Sequence, residues 1–437
     1  MAKLIVTDAA VLCADGKIRK HQTLEAVDGI ITAIRPYESS DVGSCMHDSF
    51  IDGYGKLVMP GLADCHMHTG QQLLKGRILD ELPMIWTRIM LPFESTLTPE
   101  LMRLSAELAA LEMIHSGTTA FVDAGSYHMQ EAAAVYAQSG LRGVLSVSTM
   151  DAPGLPASIA CDAGKAVSMT EALADVCAGY PLIKTAWSLR SLMSCSEELI
   201  IMVSQRAREH GALLQAHMNE YAGEVNDILQ HRSMRPFEYL DSLGVLGPHF
   251  IAAHCLMLSE QEKNLIQKHD VKITHCPFSN CGKGIPDTPA LLNRGICVGL
   301  GTDGAAHGGL SLWNEMKIFR SVMNAAHGVP SGDPAIMPAA RILQMSTENG
   351  YRLIGEPDGG SLAVGKKADF ITIDLRHPHL MPTGNLIHTL LECVTAGDVC
   401  DMAANGKLLM KSREILTLDK ERILHDAENY LERLNLL

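Results

Sequence analysis

The sequence predicts an α/β fold: a parallel (β/α)8 barrel of TIM type joined to a small β-sandwich. Three observations predict it. Eight short apolar runs rich in β-branched residues lie between residues 57 and 301. Helical patterns separate most of them, the alternation expected of a parallel sheet. Both flanks have a different texture, with short alternating segments split by turns such as Asp15-Gly16 and Asp28-Gly29.

Taken in order, residues 1–56 carry strand-like segments at Lys3–Val6 and Ile30–Ile34. The eight runs follow at Leu57–Asp64, Thr119–Asp123, Gly143–Val147, Leu182–Trp187, Ala212–Ala216, Phe250–Ala253, Val271–Thr274 and Ile296–Gly301. The clearest helix is Thr98–Ser116. Thr98 suits its cap, Pro99 its first turn and Gly117 its end, and Leu101, Leu104, Leu108, Leu111 and Ile114 form one apolar stripe. After about residue 358 the flanking texture returns in SLAVGKKADFITIDL and DVCDMAANGKLLM. The expected division is a barrel over 57–357 and a small β-domain built from 1–56 with 358–437, ending in a surface helix.

Composition narrows the function. The chain has 437 residues, with 36 Lys plus Arg against 50 Asp plus Glu, a net charge of −14. An acidic chain repels phosphate backbones, which argues against nucleic acid as a partner. Asp8 and Asp15 interrupt the N-terminal apolar stretch, and no run reaches membrane length, so a cytoplasmic protein without a membrane partner is expected. The 12 cysteines form no regular framework and no C-x-x-C pair.

The polar residues that break the apolar runs cluster at the strand ends. His66 and His68 end the first in D-C-H-M-H, Arg190 follows the fourth, and His217 ends the fifth with Glu220 three residues on. His254 and His275 end the sixth and seventh, and Asp303 ends the eighth in G-T-D-G. Barrel enzymes carry their chemistry on this rim. Side chains two apart on a strand point the same way, so His66 and His68 can share one ion, and His217 and Asp303 complete the set. Three imidazoles and a carboxylate suit zinc or iron(II), whose bound form lowers the pKa of a coordinated water to roughly 7. Glu220 is placed to take the proton and His254 to stabilise developing negative charge. A single strand-end histidine is more often structural, but the joint pattern favours a metal site.

Two patterns are decoys. Gly299, Gly301 and Gly304 spell G-x-G-x-x-G after the last strand rather than the first, around an Asp303 that repels pyrophosphate. They read as a tight turn presenting Asp303, not as a nicotinamide-nucleotide site. The H-x-E with P-C-x-x-C signature of nucleobase deaminases is absent.

These residues resemble the amidohydrolase superfamily, in its branch of aminohydrolases acting on nitrogen heterocycles. The matching text is PGLADCHMH, LLQAHMNEYAGEV, FIAAHCLMLS, HCPFSNCGKG and VGLGTDGAAH, with GSLAVGKKADFITID near the return to the small domain. The resemblance implies one divalent metal, zinc or iron(II), on His66, His68, His217 and Asp303. It implies Glu220 as proton shuttle, His254 as oxyanion partner and Asp303 as a catalytic residue as well as a ligand. It also implies hydrolytic loss of ammonia from an amino-bearing ring carbon. His275 and Ser279 join the expected substrate-binding set. Binuclear members bridge two metals with a lysine after strand four. Lys184 lies at the start of that strand, so one metal is expected. By the same analogy the protein is expected to be a homodimer.

The sequence gives conflicting hints about the heterocycle. Overall the chain is most similar to S-adenosylhomocysteine and methylthioadenosine deaminases. In LLKGRILDELPMIWTRIMLPFE, Trp86 and Glu94 match positions that contact the nucleoside, with Glu94 on the ribose hydroxyls. Packing alone is the competing account of Trp86. Two positions depart. Arg190, in SLRSLMSCSEE, stands where that group has a base-contacting histidine, and no arginines near Ser148–Gly154 match those that grip a homocysteine carboxylate. Arg190 and Gln71 resemble guanine deaminases instead, where both hold an oxo-purine. The competing account of Arg190 is an ion pair with a neighbouring carboxylate. The expectation leans slightly to a free amino-oxo base of guanine, isocytosine or pterin type. Adenine nucleosides are the alternative, and a triazine hydrolase or a non-catalytic scaffold are further ones.

Overall fold

The computed structural model describes residues 2–44, 49–81 and 85–433. Of the stretch singled out around Trp86, Leu82, Pro83 and Met84 lie outside the described residues. Among the described residues the strands fall into three sheets.

Two sheets are five-stranded and parallel. One runs in the order Asp303–Gly304, Leu62–His68, Thr118–Asp123, Arg142–Leu145, Ile183–Thr185. The other runs Trp187–Ser191, Leu214–Met218, Phe250–His254, Lys272–His275, Val298–Leu300. The chain joins them twice. At Ala186 the fourth run changes partners: its first half pairs with Arg142–Leu145 and its second with Leu214–Met218. The eighth run pairs with Lys272–His275 through Val298–Leu300, then with Met67 and His68 through Asp303 and Gly304. Each sheet therefore begins where the other ends. Leu62–His68, Thr118–Asp123 and Phe250–His254 are buried on both faces, which is why they read as unbroken apolar runs rather than alternating ones.

The third sheet has nine strands and draws on both chain ends. Lys3–Leu12 pairs with Ile18–Val27, Phe50–Asp52 and Lys56–Pro60, and Lys56–Pro60 pairs with Phe370–Asp374. By hydrogen bonding it is one continuous sheet, because Lys56–Pro60 bridges the early strands to the late ones. Leu4, Val6, Leu24, Ile31, Val58, Phe370 and Ala403 gather in its own apolar cluster. The run expected as one strand over Leu57–Asp64 is two. Pro60 still faces Phe370, but Leu62 pairs with Thr118. Gly61 makes the switch against Thr119, whose side chain fills the space a Cβ would need.

Pro99–Ser116 is helical. The Thr98 hydroxyl accepts from the Leu101 N–H, and Gly117 ends the helix at φ 84°. Leu104, Leu111 and Ile114 are buried along it. Lys420–Arg433 forms the last described helix and packs on this one. No described helix is long and apolar enough to cross a membrane.

A buried polar cluster pins the parallel strands to the nine-stranded sheet. Arg142 opens its strand, and its Nε donates to Asp369 at 3.1 Å. Tyr351 donates to the same carboxylate at 2.9 Å, and its hydroxyl lies 2.7 Å from that of Thr119. Glu356 pairs with Lys184, Lys367 and Arg142. Lys184 thus sits at the foot of its strand, away from the histidines.

Candidate metal centre

The opposite ends of the parallel strands bring His66, His68, His217, His254 and Asp303 together. His66 and His68 share a face because they are two apart on an extended strand. Asp303 is carried by a turn in which glycine is required. A Cβ on Gly301 would stand 2.7 Å from the His66 carbonyl oxygen. The G-x-G-x-x-G text is therefore a close-approach device between the first and eighth strands. Asn219, His254, Cys255 and Asp303 all hold positive φ, between 50° and 70°. For non-glycine residues this is a sparsely populated region.

His68 Nε2 lies 3.2 Å from His217 Nε2 and 3.3 Å from Asp303 Oδ1, and His66 Nε2 lies 3.9 Å from that oxygen. Donors 2.0–2.1 Å from one ion at tetrahedral corners stand roughly 3.3 Å apart, and His66, His68 and His217 form one group able to hold a small cation, with Asp303 grouped beside it with His66 and His254. Burial drives His66 and His217 well below the usual imidazole range, which leaves the rings neutral and able to ligate. Burial pushes the Asp303 carboxyl up, but His68, Lys283 and His254 outweigh it and hold it well below the usual range. Asp64 ties the two ligand-bearing strands, accepting from Thr302 Oγ1 at 2.6 Å and from the His66 N–H at 3.2 Å. Burial raises its carboxyl to about 7 against those bonds.

Glu220 stands 3.7 Å from His254 Nε2 and accepts from Lys283 Nζ. Burial pushes its carboxyl up, yet His254 and Lys283 bring it below the ordinary value. Lys283 also donates to Ser279 Oγ at 2.8 Å, and Ser279 donates to Asp303 Oδ2 at 2.6 Å. Asn280 sets the His254 tautomer. Its amide nitrogen faces the Cys276 carbonyl at 3.3 Å and His254 Nδ1 at 3.0 Å, while its oxygen receives the Cys276 N–H at 3.1 Å. His254 Nδ1 therefore accepts, and its Nε2 carries the proton toward the site.

A small cavity opens beside these groups, with Gln71, Trp86, Arg190, Glu220, Lys283 and Asp303 in its wall. Gln71 follows His68 on a 3-10 turn, and Trp86 and Glu94 lie on two successive helical turns. Gln71 Nε2 donates to Glu94 Oε1 at 2.7 Å, and Arg190 Nη2 lies 3.5 Å from the same oxygen. Arg190 stands over the Trp86 ring at 5.7 Å. His275 is placed differently. It is fully buried, its Nδ1 bonds the His254 carbonyl at 2.8 Å, its ring stacks near Phe319, and it does not line the cavity. Lys283, Tyr221, Glu224 and His307 line it without having been assigned a role from sequence. Lys283 lies within the quoted HCPFSNCGKG, but its partner Glu220 is 63 residues away. Nothing local signals that pairing.

The protein is a hydrolase acting on C–N bonds. Residues 57–418 match the Amidohydrolase family, and the chain belongs to that family. It is 33% identical over 442 residues to a 5'-deoxyadenosine deaminase of Methanosarcina acetivorans, covering 99% of both chains. It is 33% identical over 450 residues to a 5-methylthioadenosine/S-adenosylhomocysteine deaminase of Syntrophobacter fumaroxidans, covering 99% of this chain and 98% of that one. A crystal structure of an adenosine deaminase from Xanthomonas campestris with bound zinc superposes with a TM-score of 0.90 at 26% identity over 99% of both chains. A guanine deaminase from C. acetobutylicum, at 22% identity and a TM-score of 0.84 over 93% of this chain and 99% of that one, shares the fold.

The expectation of a free amino-oxo base is thereby overturned. Relatives matching end to end at 33% and 32% identity are named for adenine nucleosides, whereas the guanine deaminase likeness extends to the fold alone. The physical reason is visible in the site. The two side chains that suggested an oxo-base, Gln71 and Arg190, both face Glu94.

Proposed function

We propose that the protein is a metal-dependent deaminase of adenine nucleosides, such as 5'-deoxyadenosine, methylthioadenosine, S-adenosylhomocysteine or adenosine. The observation that carries the reading is the end-to-end match to deaminases named for these substrates. The site supports it with Glu94, a carboxylate 1% exposed that contacts two cavity-lining residues and suits sugar hydroxyls. On this reading residues 57–357 form the (β/α)8 barrel, and 1–56 with 358–437 form its appended β-domain. The protein is read as a cytoplasmic homodimer.

His66, His68, His217 and Asp303 would hold the ion, read as zinc. When bound it supplies a Lewis acid that lowers the pKa of a coordinated water to roughly 7. Glu220 takes a proton from the attacking water and delivers it to the ring nitrogen beside the amino-bearing carbon. The Nε2–H of His254 donates to the oxygen on that carbon as it becomes tetrahedral. The water's second proton departs with the amino group as ammonia, leaving an oxo-purine nucleoside. Lys283 and Ser279 hold Glu220 and Asp303 in place.

The test is ammonia release by zinc-loaded protein from the four nucleosides. Turnover of at least one, with an absorbance change from adenine to hypoxanthine, is expected. No turnover of any overturns the reading.

A further inference from the structure

We propose that His307 is a substrate-contacting residue whose imidazole donates to N7 of the purine ring and so selects the heterocycle. The inference rests on the nucleoside reading above and deepens it.

The polar side chains of the cavity wall are mostly engaged with one another. Gln71 and Arg190 face Glu94, Lys283 donates to Glu220 and Ser279, and Asp303 accepts from Ser279. His307 differs. Its side chain lines the cavity and makes no hydrogen bond, ion pair or ring contact with any described residue. Its ring nitrogens are not sealed in the protein, as those of His66, His254 and His275 are at Nε2. An imidazole that opens onto a cavity without a protein partner is free to bond a ligand there.

The chain holds this ring in place. Ala305–His307 is a 3-10 turn ended by Gly308 at φ 119°. Before it, Asp303 and Gly304 pair with Met67 and His68. After it, the Leu310 N–H donates to Glu112 at 2.9 Å, and the Leu310 carbonyl accepts from Ser116 Oγ at 3.1 Å. Ala305 is fully buried, and Ala306 packs on the cluster of Leu74, Ile78, Ile85 and Met90. A side chain carried by a turn fixed at both ends loses little freedom on binding.

Its position selects the ring atom. In the reaction above, C6 receives the attacking oxygen, N1 receives the proton from Glu220, and N9 carries the sugar. N3 and N7 remain as acceptors. N7 shares an edge with the amino group, whereas N3 lies on the sugar side. His307 follows Asp303 by four residues, and the charges acting on its ring belong to Asp303, Lys283, Glu220 and His254, all at the reacting end. That places it on the edge of the amino group and N7. An imidazole carries an N–H in either protonation state, so it can donate to N7. A ring with C–H at that position leaves the donor unanswered, and the site discriminates against it.

The experiment uses whichever of the four nucleosides the zinc-loaded protein turns over best, together with its 7-deaza counterpart, which has C–H in place of N7. It compares kcat/KM for both in wild type, His307→Phe and His307→Gln, with zinc content measured for each. A counterpart that is not turned over is read by its Ki against the parent nucleoside. His307→Phe should lose about 5- to 50-fold on the nucleoside and less than about 3-fold on the 7-deaza counterpart. His307→Gln, whose amide keeps a donor, should recover part of the loss on the nucleoside alone. Equal losses on both compounds overturn the proposal. So does undiminished activity of His307→Phe, or a fall in zinc content that accounts for its loss. With an active wild type these outcomes overturn the proposal alone. No turnover of any of the four nucleosides overturns the nucleoside reading, and the proposal falls with it.

Discussion

The two ends of the parallel strands hold two buried polar clusters of opposite character. At the foot, Arg142, Asp369, Tyr351, Thr119, Glu356 and Lys184 satisfy one another across the junction with the nine-stranded sheet. At the rim, His66 Nε2, His254 Nε2, Gln71 Oε1, Trp86 Nε1 and Glu94 Oε2 are buried without hydrogen-bond partners among the described residues. Apart from the exposed Lys184, both clusters are shielded from water and rich in charge. These two groups of residues differ in satisfaction rather than in burial. A closed network stabilises and orients, whereas open donors and acceptors converging on one cavity are prepared for an ion and a substrate.

The sharpest break between the clusters comes from metal removal. Dialysis against a chelator should abolish deamination, and zinc should restore it, while the foot network stays intact by circular dichroism. His254→Ala should lower kcat by about 10²–10³-fold with little change in melting temperature, the size expected for one oxyanion donor. Asp369→Ala should do the reverse. Removing one partner of a buried ion pair costs about 3 kcal/mol, read as a lower unfolding midpoint, while kcat per folded molecule stays near wild type.

Glu224 sharpens the boundary through a dependence on pH. Burial raises its carboxyl to about 8, against the backbone N–H groups it accepts, including that of Glu220 at 2.9 Å. An ordinary glutamate carboxyl titrates near 4.5. Between these values the folded protein keeps a proton that the unfolded chain has lost, so this group makes stability fall as pH rises. The penalty is absent below the lower value and complete above the higher one. Glu224→Gln keeps an oxygen for the Glu220 N–H and removes the titration. Its stability advantage in urea unfolding should therefore grow from about pH 5 to about pH 8.

Much of this was legible in the sequence. His66, His68, His217, His254 and Asp303 stood out jointly, because polar residues at the ends of several successive apolar runs are hard to credit to packing, although any one of them, like His275, can be structural. Thr98 and Gly117 bounded their helix by local capping chemistry that needs no tertiary context. The break at Gly61 was hidden, because an apolar run that passes from one buried sheet into another keeps the same texture throughout. Gln71 and Arg190 misled for a related reason. Residue type showed their donor capacity, but only the folded chain shows that Glu94, 23 residues from one of them, already faces it. Lys283 was overlooked because its partner is distant in sequence.

The central claim is that the unsatisfied rim performs the reaction, with Glu220 moving the proton. The most direct test is kcat/KM of Glu220→Gln against wild type on 5'-deoxyadenosine, at equal zinc content. The account predicts a fall of about 10²–10⁴-fold with metal still bound. Near-equal activity at equal metal content would contradict it.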